Sequence, residues 1–185
     1  MGSILRRTLA FCLSVTAATA LTSAADQTAA FSFQQVEYFH RWSQGTQHEF
    51  TPAKQEDLEH WSDMITINAY PGVDEGEKMA GTANAVLGRY KSAKGKVLKT
   101  SSVPASDERP AEHFIAVLFS RPNFQEAAFA RFKLVDGKAH SFVYSHRIYG
   151  DKAADQMNEW LRANGEKVES ALMEWNPPAS ALSAH

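Results

Sequence analysis

The chain is poor in the residues that carry covalent and metal chemistry. Of its 185 residues only Cys12 is a cysteine, which excludes a disulfide-stapled miniprotein and a thiolate zinc module. Charge of one sign is missing too. Nineteen Lys and Arg stand against 21 Asp and Glu, a net of −2, so no basic field draws the chain to nucleic acid. No apolar run approaches the roughly 20 residues that a membrane-spanning helix needs, so no integral span is expected. Repeats and low-complexity blocks are absent as well. With 44% apolar, 22% charged and 11% aromatic residues, the composition is that of an ordinary globular domain.

What is present begins with a leader. Arg6 and Arg7 form a short positive segment, Thr8 to Leu21 is apolar, and small residues follow at Thr22, Ser23, Ala24 and Ala25. This is the pattern of a cleaved secretory signal peptide over residues 1–24, with Ala20 as a second cleavage position. Leu9-Ala10-Phe11-Cys12 partly resembles a lipobox, but bulky Phe11 stands where a small residue is needed. Cleavage removes the lone thiol. It also leaves 17 basic against 21 acidic residues, a net of −4, in a protein expected to be soluble and periplasmic or secreted.

The body reads as one domain over 31–175, long enough for a single core, with 176–185 (NPPASALSAH) as a flexible tail. Val36, Tyr38, His40 and Trp42 alternate, and Ser43 to Thr46 supply a turn before His48 to Phe50, which predicts a first hairpin. Trp61 to Ala69 keeps period two and predicts a third strand. Asp74 and Glu77 have capping-box spacing ahead of Met79, Ala83, Val86, Leu87 and Tyr90, so a helix follows, with Gly95 as its positive-φ terminator. Lys96 to Val103 is β-prone, and Pro104 to Ala111 reads as a loop. His113 to Phe119 is apolar throughout, which predicts the strand in the middle of the sheet. Asp136-Gly137 joins two long strands in a hairpin that sets Phe129 against Tyr144, Ala127 against His146 and Glu126 against Arg147. A final helix from Asp151 carries Ala154, Met157, Trp160 and Leu161, breaks at Asn164-Gly165, and resumes through Val168, Leu172 and Trp175.

Three strands, a helix, four strands and a broken helix argue an α+β fold, an antiparallel sheet of about seven strands flanked by two main helices. That succession resembles the Mog1/PsbP-like sandwich. The resemblance implies a mainly non-enzymatic exported family whose members bind or assist partners, and it transfers no functional residue.

Candidate chemistry is sparse. The histidines lie on different inferred elements without HExxH or His-x-His spacing, and there is no GxSxG elbow or GK[ST] phosphate loop. Ser145 and His146 are adjacent on a strand and so point to opposite faces. His146, Tyr144, Arg131 and Asp63 line a polar pocket if they share a face. Otherwise Glu126 and Arg147 form a cross-strand ion pair while Tyr144 and His146 edge the core. Tyr38, His40 and Trp42 offer an aromatic stripe for recognition, and Arg109 with Asp107 and Glu108 a second contact surface. Candidate binding residues are therefore His146, Tyr144, Arg131, Arg147, His113, Tyr38 and Trp42; no catalytic residue, metal ligand or cofactor is assigned. The expected function is a non-catalytic binding or accessory protein of the cell envelope, acting on an exported protein or a small ligand. One alternative is a hydrolase or metal-dependent enzyme whose His146, Tyr144, Arg131 and His113 converge in space. Another is a periplasmic small-ligand carrier with an apolar pocket between sheet and helices.

Overall fold

The computed structural model describes residues 28–182, so the expected leader lies outside the described residues. The elements are β1 (Phe31–Phe33), β2 (Val36–Gln44), β3 (Gln47–Pro52), β4 (Asp63–Tyr70), α1 (Gly76–Ser92), β5 (Lys96–Val103), β6 (Glu112–Ser120), β7 (Phe124–Val135), β8 (Lys138–Tyr149), α2 (Ala153–Glu174) and α3 (Ala179–Leu182). The fold is α+β. Its single antiparallel sheet has eight strands in the order β1-β2-β3-β4-β8-β7-β6-β5. Two four-strand meanders, β1 to β4 and β5 to β8, thus join where their last strands meet, and α1 carries the chain between them.

The β7–β8 hairpin forms in the expected register, with Phe129 opposite Tyr144, Ala127 opposite His146 and Glu126 opposite Arg147. Asp136 and Gly137 both have positive φ, as a two-residue type I′ turn requires. Alternation along these strands then fixes two faces. One carries Phe142, Tyr144 and Phe129 beneath Met157, Val168 and Leu172 of α2. The other carries Ala128, Ala130, Phe132 and Val143 beneath Met79 and Ala83 of α1.

Several expectations are corrected. The eighth strand is β1, which pairs with β2 through a turn at Gln34 and Gln35; both have positive φ without a glycine to announce it. The strand at His113 to Phe119 is covered on both faces as expected, yet β6 lies next to the edge strand β5 and not in the middle. The capping box does not form: Glu75 is the N-cap without a side-chain bond, and Asp74 instead pairs with Lys78 at 2.9 Å. At the other end of α1, Lys94 takes the left-handed conformation. Gly95 N–H bonds Tyr90 C=O and Lys94 N–H bonds Lys91 C=O, which is a Schellman closure. Gly95 is required for space, because a Cβ there would lie 2.7 Å from the Phe119 ring and 2.9 Å from Tyr90 O. The final helix runs unbroken through Asn164 and Gly165. One helical glycine costs about 1 kcal/mol, and burial of Val168 and Leu172 beyond it outweighs that. Residues 179–182 of the expected tail form α3, whose Ala181 is fully buried against the core.

Candidate functional site

Asp63 is the node of the α2-facing side. It stands opposite His146 in the β4–β8 ladder, and Ile65 stands opposite Tyr144, so the alternation brings all three polar groups to one face. Tyr144 Oη donates to Asp63 Oδ1 at 2.7 Å, and His146 Nδ1 donates to the same oxygen at 2.9 Å. Gln55, from the loop after β3, donates to Asp63 Oδ2 at 3.3 Å while its own carbonyl accepts the backbone N–H groups of Ser62 and Asp63. Trp160 of α2 lies flat on the His146 ring, with centroids 4.1 Å apart and planes 10° from parallel. Burial pushes the Asp63 carboxyl up, but the hydrogen bonds from His146 and Tyr144 together with the imidazole charge outweigh it and hold the group below its ordinary range. Burial and the neighbouring Asp63 charge drive the Tyr144 hydroxyl far above its ordinary value, so it stays a donor.

Arg131 does not join this cluster. It lies four residues along β7 from the partner of His146, about 13 Å at the usual strand rise, and it is 4% exposed. Its guanidinium grips Glu112 with two bonds of 2.7 and 2.9 Å. The remaining nitrogen donates to the carbonyls of Leu172 at 2.9 Å and Trp175 at 2.7 Å. The last turn of α2 has no basic residue of its own. Arg131 therefore caps that helix from the sheet, supplying donors to unsatisfied carbonyls and positive charge to the negative end of the dipole. His113 is also separate, because it pairs with Phe132 and belongs to the α1-facing side.

On that opposite side the expected cross-strand ion pair forms, with Arg147 Nε donating to Glu126 at 2.8 Å. The guanidinium carbon sits 3.9 Å from the Trp61 ring centre and 4.4 Å from that of Phe124, an arrangement in which ring quadrupoles favour the cation. Burial raises the nearby Glu49 carboxyl, and the hydrogen bond from Gln47 and then the Arg147 charge offset part of the rise.

The aromatic stripe of the first hairpin is split. A bulge between His40 and Trp42 sets Trp42 opposite Glu49, out of phase with His40 opposite Phe50. Tyr38 is 2% exposed and stacks on Phe31, so it belongs to the core. His40 and His48 are joined through Ser43 Oγ, at 2.6 and 2.7 Å. Arg109 pairs with Ser106 across a short exposed bridge.

A groove of about 520 Å³ runs between α1 and the β5–β6 edge, lined among others by Ala83, Asn84, Leu87, Thr100, Ser102 and His113. His113 Nδ1 bonds Ser102 Oγ at 2.8 Å. Its Nε2 is the buried side-chain polar atom without a partner among the described residues, a situation that costs about 1–3 kcal/mol unless something fills it. Burial lowers the His113 pKa, which favours the neutral ring. Sequence reasoning named His113 but missed Asn84, Thr100 and Ser102, because only the docking of α1 beside β5 brings them together. It also missed Gln55, which the turn after β3 folds back onto Asp63.

Among the described residues no group of three or more His, Cys, Asp or Glu could hold a metal ion, and no helix is long and apolar enough to cross a membrane. No curated protein matches the sequence. Among solved structures, the chain is similar to the Saccharomyces cerevisiae Ran-binding protein Mog1p, with 11% identity, a TM-score of 0.47, and coverage of 74% of this chain and 82% of that one. Human STARD10 is similar at 5% identity and a TM-score of 0.31, covering 75% of this chain and 74% of that one. One family model matches residues 25–176, which takes in the whole sheet and both long helices, and the chain belongs to that family.

Proposed function

We propose that the protein is an exported binding protein of the cell envelope, an accessory factor or an inhibitor of another exported protein, that acts by contact and not by bond-breaking. The observation that carries this reading is that the groups best suited to chemistry are already engaged internally. Arg131 makes four hydrogen bonds to Glu112 and the end of α2, and Tyr144 and His146 both donate to Asp63. The leader pattern at residues 1–24 supports export, and the filled packing of Phe129, Phe142, Met157 and Leu172 beneath α2 speaks against an internal apolar carrier pocket. Crosslinking in intact envelopes followed by pull-down tests the proposal. A specific exported partner is expected; substrate turnover in an activity screen with no captured partner overturns it.

A second reading has one specific support. An imidazole whose Nδ1 is held by a carboxylate is arranged to move a proton at its other nitrogen, and the Asp63–His146 bond has that form. Hydrolytic activity abolished in His146→Ala favours this reading, and full activity in that variant removes it.

A further inference from the structure

We propose that the groove between α1 and β5 binds a small uncharged ligand bearing hydroxyl or amide groups; this deepens the binding reading above and rests on it. The groove has the volume of an ordinary small-molecule site, about 520 Å³. None of its lining side chains carries a fixed charge. A charged ligand entering it would lose hydration without gaining a counter-ion, whereas a neutral hydrogen-bonding ligand would not.

Part of its polar lining is unspent. Among the described residues, the exposed Asn84 and Thr100 side chains make no hydrogen bond within the protein, and His113 Nε2, although shut off from solvent, has no partner either. Ser102 fixes the imidazole by its other nitrogen, so the ring is oriented and only one of its two polar atoms is satisfied. Leu87 and Ile115 supply an apolar wall against which a ring or short chain can lie. An accessible amide and the hydroxyls of Thr100 and Ser102 beside apolar side chains match a ligand of alternating polar and apolar surface, such as a neutral sugar or a small amide.

Proton–nitrogen correlation spectra of the purified protein, titrated with N-acetylglucosamine and N-methylacetamide, test the proposal, with glucosamine and acetate as charged controls. The neutral probes are expected to shift the Asn84 side-chain amide, the Ser102 backbone amide and the His113 ring signals at roughly tenfold lower concentration than the controls. Asn84→Ala and Ser102→Ala, checked for an unchanged melting temperature, are each expected to weaken that response roughly five- to tenfold, the worth of one hydrogen bond. Silence of these signals to both neutral probes, an equal response to the charged ones, or shifts running along the whole free edge of β5 as a pairing peptide would give, each overturns it. A silent groove in a protein that still captures an envelope partner removes this site alone; a silent groove with no captured partner removes the binding reading as well.

Discussion

The two faces of the sheet solve the same packing problem with different materials. Beneath α2 the filler is aromatic: Phe31, Phe33, Phe129, Phe142 and Tyr144 meet Trp160 and Trp175 in a chain of ring contacts. Polar groups there are bonded to one another in pairs and triples. Beneath α1 the strands offer Ala128, Ala130, Val117 and Val143, small enough for a helix to lie close, with Phe119 and Phe132 as the large rings among them, and polar groups at the margins are left facing a groove. The difference teaches where tolerance lies. A face sealed by large rings traps its charges and must satisfy each of them, whereas a face of mostly small residues beside a groove can leave polar groups at its open edge.

Truncations should separate the faces by size of effect. Arg131→Met removes the cation from a buried pair and strips α2 of its cap, and a loss of about 3–5 kcal/mol is expected in urea unfolding; a loss below about 1 kcal/mol would show that the α2 face does not depend on this lock. Asp63→Ala leaves the Tyr144 hydroxyl and the His146 ring without their acceptor, at about 2–3 kcal/mol, and the double variant with Tyr144→Phe should cost less than the sum of the two singles. On the α1 side, Gly95→Ala forces a methyl against the Phe119 ring and Tyr90 O, at about 1–3 kcal/mol. Glu126→Gln breaks a partly exposed pair and is expected to cost less than about 1 kcal/mol.

Acidification should act through the same contrast. Burial lowers the pKa of His140 and His113 in the folded state, and hydrogen bonding overcomes burial to lower that of Asp63. Each depressed group contributes stability that is present above its unfolded pKa and lost as pH falls through its folded one. The melting temperature is therefore expected to begin falling below about pH 6.5, where unfolded histidine protonates, and to fall again below about pH 4, where unfolded aspartate does. Asp63→Asn should remove part of the lower step and leave the upper one intact.

Local chemistry made some of this legible in the sequence. Asp136-Gly137 dictates its turn, and once the turn is known every facing pair along β7 and β8 follows, including Glu126 with Arg147. Alternation likewise separates Ser145 from His146. The turn at Gln34 and Gln35 carries no glycine, asparagine or aspartate, so β1 was hidden. The bulge at Arg41, which turns Trp42 away from His40, leaves no mark in the residue pattern either. Continuity of α2 through Gly165 depends on what Val168 and Leu172 bury, a tertiary effect that overrides local propensity. At the sites, face parity could group Asp63, Tyr144 and His146. Assigning Arg131 to the end of α2 required knowing where that helix stops.

The seam between β4 and β8 joins residues far apart in the chain; Asp63 and His146 are separated by 83 positions. The first meander therefore presents β4 as a bare border until the last strand has been made, and closing so long a loop is entropically slow. Any unfinished chain would carry that sticky margin in addition to the edges at β1 and β5, and it is covered only when the carboxyl-terminal third arrives.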